Sequence, residues 1–253
     1  MLVAVCSSKG SPGVTTSALA LATAWEQPAV VVEADESGAT LPFRLRTTQG
    51  QTLLPSRTIA SLAAVADRDP SLVRRTAQAV TEQLSVVPGI AAYESGGGMR
   101  ELWGDLVDVL RVSDVDVIAD VGRVNTASRS MAILEAADVV VVVTQADPHE
   151  VLHLQQRVSH LKYVLGAQKA SQIVPLVVSK RKYARTAVSE VDEVLQVESL
   201  EVAPTAFLAW DPTVVDRLYA GAGDAHWTQR TELLRSARAS VRSIREIAAE
   251  VAA

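Results

Sequence analysis

The sequence is poor in cysteine, in aromatic residues and in positive charge. Its 253 residues include a single cysteine, Cys6, so a disulfide within the chain is excluded. Aromatic residues make up 4% of the chain and hydrophobic residues 48%, which predicts a core of valine, alanine, leucine and isoleucine. The formal net charge of -5 argues against a surface devoted entirely to nucleic acid, but it leaves a local basic patch open.

The sequence also lacks a long apolar run and an internal linker. No segment approaches the roughly 18 uninterrupted apolar residues of a transmembrane helix, and the first residues already have the pattern of a strand. We therefore expect no transmembrane helix, no signal peptide and a cytoplasmic location. No stretch rich in proline, glycine and serine divides the chain, so we predict one domain over residues 1–253.

Short apolar segments alternate with helical segments along the whole chain. This alternation predicts a doubly wound α/β fold with a mostly parallel sheet and helices on both faces. Five consecutive valines in the segment 136–144 indicate a strand buried on both faces, and hence the sheet centre. Residues 41–56 are predicted to be a loop, followed by helices at 58–67 and 71–82, while the glycines at 96–98 are predicted to form a linker.

Residues 7–16 have the arrangement of a phosphate-binding loop. They follow an apolar strand, contain two glycines and lead into a helix that opens on Thr15 and Thr16. Such a turn directs backbone N–H groups and the positive end of a helix dipole at a phosphate. The loop departs from the pattern G-x-x-x-x-G-K-[ST], because Ser8 replaces the first glycine and Val14 replaces the lysine. Val14 offers no charge to the β- and γ-phosphates that this lysine normally neutralises.

The loop resembles the deviant pattern K-G-G-x-G-K-T-T of the ParA/MinD family, with the signature lysine present as Lys9. The missing second lysine is similar to the TadZ/CpaE branch, where a small neutral residue often replaces it. The resemblance implies a P-loop NTPase-like fold with ATP and magnesium as ligands, and a homodimer in which Lys9 reaches the partner's phosphates. It gives these cofactor-binding candidates: Lys9, Gly10, Ser11, Gly13, Val14, Thr15 and Thr16.

Acidic residues at two strand ends complete the expected site. Residues 29–38 resemble the family element D-x-D-x-x-G, with Glu33 and Asp35 in the acidic positions, and Asp35 would orient or activate the attacking water. Asp35 and Lys9 are therefore the catalytic candidates. Residues 116–122 resemble a Walker B strand, whose carboxylate can reach magnesium from the end of a buried parallel strand. Asp120 and Thr15 are the expected metal ligands.

Three departures from the family pattern weaken this prediction. Val14 replaces the lysine, Gly122 and Arg123 stand where the family usually has prolines, and Ser179 stands where an asparagine commonly lies near the adenine. The residues leave open whether nucleotide is still bound. We therefore expect a positioning or scaffolding factor with weak or absent ATP hydrolysis. The TadZ/CpaE resemblance implies proteins of a pilus-type secretion machine as partners, and recruitment to a pole or septum.

Two other functions stay open. A working partition-type ATPase would bind DNA non-specifically, and the basic cluster from Lys180 to Arg185 is its best supporting feature, although a solvated loop explains the cluster as well. A MinD-like division-site regulator would need residues 228–253 free to contact a membrane. The apolar stripe of this segment favours a helix packed on the sheet instead.

Overall fold

The computed structural model describes residues 1–9, 13–65, 69–90, 100–221, 223 and 225–252. Its strands are β1 (Leu2–Ser7), β2 (Ala29–Glu33), β3 (Gln78–Ala79), β4 (Leu84–Val87), β5 (Asp116–Arg123), β6 (Val139–Gln145), β7 (Ile173–Ser179) and β8 (Ala206–Ala209). Its helices are α1 (Val14–Thr23), α2 (Leu41–Arg44), α3 (Ile59–Ala63), α4 (Leu72–Thr76), α5 (Arg100–Arg111), α6 (Met131–Ala136), α7 (Pro148–Leu165), α8 (Ala184–Val197), α9 (Pro212–Tyr219) and α10 (Glu232–Ala252).

The strands form one sheet in the order β3-β4-β2-β5-β1-β6-β7-β8. All neighbours are parallel except β3 and β4, which are antiparallel. The predicted fold class, a mostly parallel sheet between helical layers, is confirmed. β5 and β1 occupy the two central places and the valine-rich β6 lies beside them, paired on both sides. The segment after β1 therefore starts from the middle of the sheet.

Side chains alternate between the two faces of the sheet, and each face has its own apolar core. In β1, Val3 and Val5 face the core that contains α1, α9 and α10, whereas Leu2, Ala4 and Cys6 face the core that contains α3 to α8. Burial on both faces explains why these strands are continuously apolar instead of alternating with polar residues. Cys6 is a buried thiol in this core, as its apolar surroundings predict.

The C-terminal helix packs on the sheet. Leu234, Ala237 and Ile244 of α10 are fully buried in the first core. Two serines of α10 also bond to the edge strand β8: Ser236 Oγ accepts from Ala209 N at 2.9 Å, and Ser240 Oγ donates to Phe207 O at 3.0 Å. The prediction that this segment packs on the sheet, instead of forming a free tail, is confirmed for its described residues.

Two predictions for the chain between β2 and β4 are wrong. The segment 41–56 contains a short helix, α2, and the helix predicted at 71–82 ends at Thr76 and is followed by β3. The side-chain amide of Gln78 explains the second error, because its Oε1 accepts from Leu54 N at 2.7 Å and its Nε2 donates to Leu54 O at 3.2 Å. This long-range pairing holds the backbone extended. The helix predicted at 58–67 is present but shorter, Ile59–Ala63. Residues 66–68 and the predicted linker at 96–98 lie outside the described residues.

Candidate functional site

The ends of β1, β2 and β5 meet the start of α1 in a cleft of about 490 Å³. Because these three strands are adjacent and parallel, their C-terminal ends lie at one edge of the sheet, where α/β proteins bind their ligands. Five predicted site residues line the cleft: Gly13, Val14, Thr15, Thr16 and Asp35. Seven residues that were not among the predicted site residues also line it: Ser7, Ser37, Thr40, Arg44, Gly122, Arg123 and Tyr219.

The described part of the loop turns into α1 at Gly13. Its φ of 93° is a left-handed conformation that suits glycine, and its carbonyl accepts a 2.7 Å hydrogen bond from Ser17 N. Val14 lines the cleft, but the residue is only 8% exposed because its side chain packs in the apolar core. Lys9 is exposed and does not line this cleft. The candidates Gly10 and Ser11 lie outside the described residues.

Asp120 is a fully buried carboxyl at the end of β5. Its Oδ1 accepts from Gly122 N at 3.3 Å, whereas its Oδ2 has no hydrogen-bond partner among the described residues. Burial raises the pKa of Asp120 to about 7, and the charges of Glu33 and Asp35 act in the same direction, while hydrogen bonds from the Thr15 hydroxyl and Gly122 N lower it. The carboxyl is thus balanced between its neutral and charged forms near neutral pH.

The Asp120 carboxyl and the Thr15 hydroxyl that bonds to it are oxygen groups that fit a hard cation. Ser7 Oγ, which is also buried and without a partner among the described residues, lines the same cleft as the Thr15 hydroxyl. Carboxylate and hydroxyl oxygens are the ligands that magnesium prefers. The described chain holds no group of three or more His, Cys, Asp or Glu side chains arranged for a metal. Asp120 and the Thr15 hydroxyl are the residues that would hold a magnesium ion here.

Gly122 allows Asp35 to approach the end of β5. The register between β1 and β5 shifts at this point, so that Val5 pairs with Asp120 and Cys6 pairs with Gly122. Gly122 has a φ of +67°, and a Cβ atom at this position would overlap the Asp35 carboxylate. Glycine is therefore required both for the backbone conformation and for the close contact. Asp35 is also held by its own turn, because its Oδ1 accepts from Ser37 N at 2.7 Å.

Glu33 has a structural role that its place in the acidic motif did not reveal. Its buried carboxylate accepts hydrogen bonds from Thr40 N at 2.6 Å and Leu41 N at 3.0 Å at the start of α2. Its second oxygen accepts from Gly89 N at 2.9 Å, beyond the end of β4. Glu33 therefore ties the end of β2 to two other segments, and protein donors occupy both of its oxygens.

Arg44 and Tyr219 cover one side of the cleft and were missed by the sequence analysis. The Tyr219 hydroxyl lies 3.3 Å from Thr16 Oγ1, and the Arg44 guanidinium lies 3.4 Å from the centre of the Tyr219 ring. Burial raises the pKa of Tyr219, so the phenol is neutral near neutral pH. Arg44 falls in a segment without periodicity, and Tyr219 is 203 residues from Thr16. No local pattern in the sequence could have joined them.

The basic cluster from Lys180 to Arg185 lies away from the cleft. It forms the 3-10 turn Arg181–Tyr183 and the start of α8, and its charged side chains are exposed. Arg181 makes a 3.2 Å ion pair with Glu232, and Lys182 lies 4.6 Å from the centre of the Tyr183 ring. One of its four charges is therefore already compensated. Among the helices that the structure describes, none is both long enough and apolar enough to cross a membrane.

Comparison with solved structures shows that the chain has the fold of ParA/MinD ATPases. A ParA family ATPase from Chlorobium tepidum superposes with a TM-score of 0.72 at 16% identity, covering 95% of this chain and 97% of that one. The Pyrococcus furiosus cell division ATPase MinD superposes with a TM-score of 0.68 at 15% identity, covering 97% of this chain and 98% of that one. A variant of McdA from Cyanothece, in its complex with ATP, superposes with a TM-score of 0.64 at 18% identity, covering 97% of this chain and 96% of that one. At these identities the likeness establishes the fold. No protein-family model and no curated protein sequence matches the chain.

Proposed function

We propose, from its ParA/MinD fold and the cleft at α1, that this protein is a nucleotide-binding positioning factor with slow or absent ATP hydrolysis. The observation that carries the proposal is the contrast between Val14 and the rest of the cleft. Val14 replaces the lysine of the loop with an apolar side chain that packs in the core. Gly13 supplies a left-handed turn, and the Thr15 hydroxyl bonds to the buried Asp120 carboxyl behind the cleft, which supports a nucleotide site.

ATP with magnesium is the ligand that we propose for this cleft. The N-terminal residues of α1 would hold the phosphates, since backbone N–H groups and the helix dipole favour an anion there. Asp120 and Thr15 would hold magnesium, which would screen the charge of the phosphates. Asp35 lines the same cleft and would orient a water molecule. Without a lysine at position 14, this arrangement lacks one source of the charge that stabilises phosphoryl transfer.

A second copy of the chain is the first partner that we propose. Lys9 is exposed and lies outside its own cleft, which suits a lysine that acts on the site of a partner copy. The resemblance of the loop to TadZ/CpaE extends the proposal to proteins of a pilus-type secretion machine, with recruitment to a pole or septum. Slow turnover is compatible with such a role, because positioning needs binding and release more than rapid catalysis.

Binding and turnover of ATP test the proposal together. Isothermal titration calorimetry should detect MgATP binding to the wild type, while phosphate release stays near the background rate. Val14→Lys should raise the rate of phosphate release, and Val14→Ala, which adds no charge, should not. Absence of any nucleotide binding would overturn the nucleotide part of the proposal. Fast wild-type turnover that Asp35→Ala abolishes would replace the positioning factor with a working ATPase.

A partition-type ATPase that binds DNA is the second candidate. The exposed basic side chains of Lys180, Lys182 and Arg185 favour it. The ion pair of Arg181 with Glu232 and the net charge of -5 count against it. The apolar face of α10 is packed on the sheet, so nothing in the described chain favours a MinD-like membrane tail. Neighbouring genes offer a simple test, since pilus-assembly ATPase genes favour the first candidate and a centromere-binding partner favours the second.

A further inference from the structure

The cleft beside Val14 contains positive charge from elsewhere in the chain. Arg44 at the end of α2 and Arg123 at the end of β5 both line it. Neither side chain makes an ion pair with another residue that the structure describes. Two guanidinium groups therefore face a cleft whose other charged lining group is the Asp35 carboxylate. Guanidinium groups without a carboxylate partner favour an anionic ligand.

The position of Arg44 is fixed by buried contacts on both sides of it. Leu41 and Leu45 flank Arg44 in α2 and its C-cap, and both are completely buried. The carboxylate of Glu33 accepts from Thr40 N and Leu41 N, and so anchors the start of α2 to the end of β2. The backbone of Arg44 is thus held at the cleft by an apolar core and by a buried carboxylate. An exposed arginine in an unanchored loop would lack this preorganisation.

Tyr219 orients the guanidinium of Arg44. The ring is 7% exposed and lies under the guanidinium, at 3.4 Å from ring centre to Cζ. Its hydroxyl lies 3.3 Å from Thr16 Oγ1, so the stack stands directly beside the first turn of α1. A guanidinium that stacks on a ring through its face keeps its N–H groups available at the edge. Those groups match the oxygens of a phosphate in pairs.

We propose that Arg44, supported by Tyr219, supplies the phosphate-binding charge that Val14 does not, with Arg123 as a second cation, and that the cleft is thereby selective for a polyphosphate. This inference rests on the proposed function, because it assigns ligands within the same cleft. Arg44 replaces the lysine in charge only, since its side chain enters from α2 instead of from the loop. Asp120 and Thr15 remain available for the cation that accompanies the phosphates.

Calorimetric titrations of Arg44→Ala with MgATP, tripolyphosphate and adenosine test this inference. Loss of one charge-assisted contact should weaken binding of MgATP and tripolyphosphate by about tenfold or more. Affinity for adenosine, which carries no phosphate, should not change. Arg46→Ala is the matched control, because Arg46 is exposed, donates to Leu45 O and does not line the cleft. Arg44→Lys should recover part of the affinity that Arg44→Ala loses. Tyr219→Phe, which keeps the ring, should retain most of the wild-type affinity.

The outcomes separate this inference from the proposed function. If the wild type binds MgATP and neither Arg44→Ala nor Arg46→Ala changes the affinity, the role of Arg44 would be overturned while the nucleotide site would stand. If the wild type binds tripolyphosphate but not MgATP, and Arg44→Ala weakens that binding, the role of Arg44 would stand and the nucleotide would be overturned. Binding of neither would overturn both. An equal loss of adenosine affinity in Arg44→Ala would also contradict a role in phosphate binding. Circular dichroism of each variant controls for folding, which an exposed arginine should not affect.

Discussion

Replacement of Asp120 by asparagine should make the stability of the protein less dependent on pH. The carboxyl is completely buried, and its pKa is raised from 3.8 to about 7, mainly by that burial. The folded chain therefore holds this proton more tightly than the unfolded chain does. The resulting stabilisation is fully present below about pH 4 and is lost as the pH rises through about 7. Asparagine has a similar shape but does not titrate in this range.

The size of the effect follows from the pKa shift. With pKa values of 3.8 in the unfolded chain and about 7 in the folded chain, the stabilisation from Asp120 falls by about 3 kcal/mol between pH 5 and pH 8. The change in stability between these two pH values should therefore differ by about this amount between wild type and Asp120→Asn. Complete burial means that solvent does not screen the effect appreciably.

Urea denaturation at pH 5 and pH 8 measures this difference. Fluorescence of the four tryptophans reports unfolding, and equal slopes with urea would show that the unfolded states are comparable. Asp216→Asn, on the exposed surface of α9, controls for the removal of a carboxylate as such. A pH dependence that is the same in wild type and Asp120→Asn would show that the buried carboxyl does not titrate in this range. The argument that burial raises the pKa of Asp120 would then be refuted.

Three further predictions follow from the site and its surroundings. Gly122→Ala should displace Asp35, because the added Cβ would overlap that carboxylate, and should therefore weaken MgATP binding. Gly104→Ala, at an open position in α5, is the control and should have little effect. Equal calorimetric affinities for MgATP in the two variants would contradict the close contact. If Lys9 acts on a partner copy, MgATP should shift the wild type towards a dimer in sedimentation, and Lys9→Ala should abolish the shift; identical profiles would leave a constitutive scaffold. Duplex DNA should bind weakly and dissociate steeply as salt rises, because the cluster from Lys180 to Arg185 holds only four basic residues and Arg181 is paired with Glu232; tight binding at moderate salt would favour the partition ATPase.

The parts of the fold that local sequence specifies were predictable. β6 is recognisable because its valines fill a strand buried on both faces, and the loop before α1 is recognisable because glycines and threonines recur at fixed offsets. The strand ends at Asp35 and Asp120 could likewise be placed at one edge of the sheet. Each of these signals lies within about ten residues of chain.

The parts that depend on distant partners could not be predicted. Helix α2 begins where the Glu33 carboxylate accepts two backbone N–H groups, and β3 is held by the amide of Gln78. The contact of Arg44 with Tyr219 likewise joins residues that no pattern relates. In each case a single side chain, brought in by the tertiary fold, overrides or supplements the local preference of the backbone.

The hydrogen bonds from α10 to β8 determine how copies of this protein can associate. An edge strand with free N–H and C=O groups is open to strand addition from another chain. Here Ser236 and Ser240 occupy groups on the outer edge of β8, and at the other end of the sheet β3 is only two residues long. Both margins are thus protected against continuation of the sheet into a neighbouring molecule. Association with another molecule would therefore have to use side-chain surfaces instead of a backbone ladder that extends the sheet.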